Sequence, residues 1–67
     1  MTRDDLEHYA RAQVADFQPV AVEWIGLRAL RKPVWAWDQL THAQLWAIVG
    51  ACAAMRTILA ESGIAVE

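Results

Sequence analysis

Apolar side chains recur at helical spacing from the start of the chain. At about 100° per residue, Leu6, Tyr9, Ala10, Gln13, Val14 and Phe17 fall in one stripe, while Asp4, His8, Arg11 and Ala15 fall opposite. The pattern predicts an amphipathic helix over 3–17. Thr2 followed by Asp5 has the form of a capping box. Asp4, Asp5 and Glu7 put negative charge at the positive end of the helix dipole, and Glu7 and Arg11 are four apart in the favourable order.

Gln18-Pro19 interrupts this pattern. Proline cannot continue a helix but fits the first turn of the next one. From 20 to 32 the periodicity is weaker. Val20, Trp24 and Leu27 are spaced as a helical stripe, and Arg28, Arg31 and Lys32 gather where cations suit the negative end of the dipole. A second helix over 20–32 is expected; the alternative is an α+β fold with a short strand at 20–25. Pro33 closes the element in either case. An irregular connector carrying Trp35 and Trp37 follows.

Thr41 and Gln44 form a second capping box, and a third helix is predicted over 42–62, with Gly63 at the position of a left-handed cap. Leu45, Ile48, Cys52, Met55 and Leu59 repeat at 3-4-3-4 spacing, the seam of a packed helix. The other side of this helix is not polar. Trp46, Gly50, Ala53, Ala54 and Thr57 lie together there with Ala43 and Ala47 beside them, and Arg56 is the one charge between Leu45 and Leu59. A helix apolar nearly all round is expected to be covered on more than one side. The fold class expected is therefore all-α, a single small three-helix domain.

Length sharpens the question of what covers the last helix. A chain of 67 residues buries only about 60% of its unfolded surface. Chains this small commonly need disulfides, a metal or association to be stable. Cys52 is the only cysteine, so no bridge forms within the chain, and its alanine neighbours mark it as a small buried hydrophobe. His8 and His42 belong to no cluster with zinc spacing; Asp4 and His8, four apart, are better explained by a first-turn acid and a solvated histidine. No cofactor and no metal is expected. Association remains. Trp24, Trp35, Trp37 and Trp46 together would bury an area near the ~800 Å² per partner of a standard interface. The partner-interface candidates are Trp35, Trp37, Trp46, Gly50, Ala53 and Ala54, and the partner is either a second copy in a homodimer or a larger protein.

Other classes fare worse. No phosphate-binding loop or nucleophile–base pair is recognisable, so an enzyme is not expected. A DNA-binding regulator is the rival, with Arg28, Arg31 and Lys32 as nucleic-acid contacts. Its weakness is a net charge of −2 and a last helix with few polar groups to offer a groove. The segment MTRDDLEHY is polar and acidic, unlike a secretory leader, and the longest uncharged run falls short of the ~20 apolar residues of a bilayer span. A cytoplasmic protein without a membrane role is expected. The alanine-rich composition with one lysine suggests a GC-rich bacterial or phage genome.

Overall fold

The structure is a computed structural model that describes residues 1–31 and 36–63. The described residues hold three helices, α1 (Arg3–Ala15), α2 (Pro19–Leu30) and α3 (His42–Glu61), with a 3-10 turn at Trp37–Gln39. The all-α fold is as expected. The segment 20–25 lies inside α2, so the alternative of a strand there is not adopted.

Both capping boxes form. The Asp5 and Gln44 backbone amides donate to Thr2 Oγ1 and Thr41 Oγ1 at 3.2 Å each, and the side-chain oxygens of Asp5 and Gln44 accept in return from the Thr2 and Thr41 amides. Satisfying these otherwise orphaned donors fixes where each helix starts. α1 stops two residues earlier than the periodicity predicts. The Asp16 amide turns back to Gln13 and Val14, the Phe17 amide bonds Val14 at 3.1 Å, and Pro19 opens α2. α2 ends at Arg31, whose amide still bonds Leu27 at 3.1 Å and whose left-handed backbone (φ 59°) turns the chain out of the helix. Gly63 takes the left-handed cap after α3 at φ 74°.

α3 is the central element, and both other helices pack on it. The core joins Leu6, Ala10 and Val14 of α1, Ala21 and Ile25 of α2, Leu40 of the connector, and Leu45, Ile48, Ala51, Cys52 and Met55 of α3. The 3-4-3-4 seam of α3 is thus the buried face, with Leu59 partly buried at its end.

α2 is phased differently from its apparent stripe. Ala21, Ile25 and Gly26 are buried, whereas Val20 is 78% and Leu27 58% exposed. Trp24 lies at the edge of the core, partly buried. The helix is apolar on several faces, so periodicity alone gives little direction. Ile25 and the small residues Ala21 and Gly26 take the inner positions.

Candidate protein interface

The connector is held to the outer edge of α1. Arg3 donates from Nε to the Leu40 carbonyl at 2.8 Å and from a terminal nitrogen to the Trp37 carbonyl, and it bridges to Glu7 at 2.8 Å. Glu7 also takes a bond from Arg11 at 3.3 Å. The Arg11 guanidinium lies 5.8 Å from the Trp37 ring centroid, within cation–π range. Arg3, Glu7 and Arg11 are one turn apart along one edge, so a short stripe of α1 grips the 3-10 turn. The bond from Arg3 is the main reason the Glu7 carboxyl is held below its ordinary value, with Arg11 adding to it and partial desolvation opposing. Beside this clamp, Asp4, Glu7, His8, Arg11 and Ala12 line an open depression of about 450 Å³.

Trp37 is therefore taken up largely by its own chain: it is partly buried and packs on the core. Trp35 and Lys32 lie outside the described residues. Arg28 stacks on the Trp24 ring at 5.3 Å, and Arg31 is exposed at the end of α2. The proposed basic triplet thus has one guanidinium engaged with its own helix.

At the far end of the molecule Arg56 of α3 reaches Asp16 at 2.9 Å and lies 4.9 Å over the Phe17 ring. It fastens α3 to the segment that follows α1. Composition shows a lone charge in an apolar helix; its partner, forty positions away, has no local signature in the sequence. Cys52 is fully buried, and desolvation pushes its thiol above the usual cysteine range, against a smaller opposing pull from Arg56. Among the described residues no three His, Cys, Asp or Glu side chains gather as a metal site.

The remaining candidates converge on the outward face of α3. At 100° per residue Gly50 sits at the middle of that face, Ala43 and Thr57 lie one heptad to either side, and Trp46, Ala47, Ala53 and Ala54 flank it. α3 thus carries two seams of the same spacing on opposite sides: a large-residue seam turned inward and a small-residue seam turned outward. Ala43, Ala47, Gly50, Ala53 and Thr57 are exposed, Ala54 is half-buried, and Trp46 is 52% exposed. A β-carbon placed on Gly50 meets nothing within 4 Å. Ile58, 44% exposed, extends the apolar surface toward the end of the helix.

α3, with 20 residues, is also long and apolar enough to cross a membrane by length and composition; its most apolar 18-residue stretch has a mean hydropathy of 1.4 and is 28% buried. The helix is longer than the uncharged run because it continues through Arg56 to Glu61.

Compared with protein-family models, with curated proteins and with solved structures, the chain matches none.

Proposed function

We propose that the protein is a non-catalytic interaction module that associates with a second copy of itself through the outward face of α3, with Trp46, Gly50, Ala53 and Ala54 at the contact. The observation that carries this reading is Gly50. It lies in mid-helix, where glycine costs about 0.5–1 kcal/mol relative to alanine, and its own chain leaves the space beside it open. A close approach by another backbone gives that space a use. The half-exposed indole of Trp46 one turn away is the residue type most enriched at interface hot spots.

A membrane span by α3 is disfavoured by what insertion would undo. Leu45, Ile48, Cys52 and Met55 already form the core with α1 and α2, and Arg56 is paired with Asp16. Nucleic-acid binding is disfavoured by the net charge of −2 and by the engagement of Arg28 with Trp24.

The test is the solution mass of the wild type and of Gly50→Leu, by sedimentation from about 1 to 500 μM. The wild type is expected to pass from monomer to dimer in this range, with a thermal midpoint that rises with concentration as mass action requires. Gly50→Leu is expected to remain monomeric yet to unfold later than the wild-type monomer. Leucine gains about 0.5–1 kcal/mol of helix propensity, and its β-carbon meets nothing within 4 Å in its own chain. Opposite signs for association and stability separate an interface defect from misfolding. A wild type that stays monomeric throughout overturns self-association. If that monomer bound neutral or anionic lipid vesicles, a membrane surface would take the second copy's place.

A further inference from the structure

We propose that the outward face of α2 docks on an anionic lipid bilayer, lying on its surface rather than crossing it. This face is separate from the one that carries the self-association reading. At about 100° per residue Val20, Trp24 and Leu27 fall within about 60° of one another, turned away from the buried Ala21, Ile25 and Gly26. Val20 is 78% and Leu27 58% exposed, and Trp24 is half-buried beside them. Arg28 and Arg31 stand exposed at the C-terminal end of the same face. The Arg28 guanidinium lies 5.3 Å from the Trp24 ring centroid, so the indole carries a cation at its edge of the stripe. In sequence Lys32 follows directly.

Charge complementarity selects the occupant. Among the described residues Arg3, Arg11 and Arg56 are bonded to carboxylates of their own chain, whereas Arg28 and Arg31 form no ion pair. The positive charge that the fold leaves uncompensated is thus gathered at one end of α2, in a chain whose net charge is −2. Glu23 is the one acid of α2; it is exposed and flanks the stripe on the side away from Arg28. The apolar stripe therefore meets the bilayer with its Arg28 flank toward the anionic headgroups.

Layering favours a bilayer over another protein surface. A bilayer supplies anionic headgroups for the guanidinium groups and an apolar layer directly beneath for Val20 and Leu27, and it needs no matching contour. Asp4 and Glu7 of a second copy offer charge, but they lie among His8, Arg11 and Ala12, where among the described residues no large apolar side chain stands to cover Val20 or Leu27. Twelve residues make a helix ~18 Å long, too short for the ~30 Å hydrocarbon core, but a helix lying on the surface needs no span. Binding through so short a face is reversible, and its ionic share is screened by salt.

The test is co-sedimentation of the whole chain with sucrose-loaded vesicles of phosphatidylcholine alone and of phosphatidylcholine with about 30% phosphatidylglycerol, at about 50 and 500 mM salt. The expected result is binding to the anionic vesicles about ten-fold stronger than to the neutral ones, falling several-fold at the higher salt. Val20→Gln with Leu27→Gln should weaken it about ten-fold, and so should Arg28→Gln with Arg31→Gln. All four side chains are exposed, and circular dichroism with thermal unfolding checks that each variant stays folded. Equal binding to both vesicles, or binding to neither, overturns the proposal. So does binding that survives the α2 substitutions and is lost in Trp46→Gln, which moves the lipid contact to α3. Polyglutamate that binds the chain as tightly as the anionic vesicles do, with no loss in the Val20→Gln, Leu27→Gln variant, overturns it too, because the basic end then recognises an acidic polypeptide without a bilayer.

Discussion

Two non-glycine residues among those described, Arg31 (φ 59°) and Ala36 (φ 60°), have left-handed backbone. For an L-residue that conformation costs about 1–2 kcal/mol, because the β-carbon crowds the following carbonyl. At Arg31 the turn terminates α2. At Ala36 it starts the 3-10 turn, whose Gln39 amide bonds the Ala36 carbonyl at 2.9 Å. Glycine removes the clash but adds freedom to the unfolded chain, so Ala36→Gly is expected to raise stability by about 0.5–1 kcal/mol net. The same change at exposed Ala12, inside α1, should lower it by about 1 kcal/mol. Urea unfolding of the two variants checks the pair. A loss at both positions would mean that Ala36 is not held in the left-handed region. Nothing in the sequence marks Ala36 as such a position, since alanine favours helix and carries no turn signal.

Among the helices, legibility tracked the contrast between faces. The start of α1 and its inner stripe of Leu6, Ala10 and Val14 were readable because acids and a histidine occupy the opposite side. The inner seam of α3 was readable from its 3-4-3-4 spacing, and both capping boxes from side chains three residues apart. α2 was not readable in phase, because its residues are apolar on several sides and its inner positions include alanine and glycine. The observed phase makes a quantitative claim. Ile25→Ala should cost about 2–5 kcal/mol, since Ile25 is fully buried. Leu27→Gln should change stability by less than about 0.5 kcal/mol, since Leu27 is 58% exposed. The apparent stripe of Val20, Trp24 and Leu27 predicts the reverse order, and thermal or urea unfolding of the two variants decides between them. The interface candidates divide on similar grounds. The outward face of α3 was visible as an excess of small apolar residues, whereas the uptake of Trp37 by its own chain depends on Arg3, which lies 34 positions away in sequence.

For the molecule as a whole, the core gathers eleven buried apolar residues among those described, and two polar fasteners among them link distant parts of the chain. Arg56 and Asp16 join α3 to the end of α1; Arg3, Glu7 and Arg11 hold the connector on which Trp37 and Leu40 sit. The second fastener is sensitive to acid. The Glu7 carboxyl in the folded chain lies below its ordinary value of 4.5, so the folded state favours the charged form. A carboxyl of this kind contributes stability that is complete well above its unfolded value and fades as pH falls through the lower, folded one. The contribution should therefore be flat near neutrality and decline below about pH 4.5. Protonation removes the acceptor charge that holds both arginines, and Arg3 is the residue that fixes the Trp37 and Leu40 carbonyls. Loss of the Glu7 charge is thus transmitted to the connector and to Leu40 beneath it, rather than staying at the surface of α1. Glu7→Gln keeps the size and one acceptor oxygen but cannot titrate. Unfolding midpoints of wild type and Glu7→Gln from pH 3 to 7 should differ most at pH 7 and converge as the medium becomes acid. Parallel curves across the whole range would show that Glu7 carries no linkage to folding and that the connector is held by its apolar contacts alone.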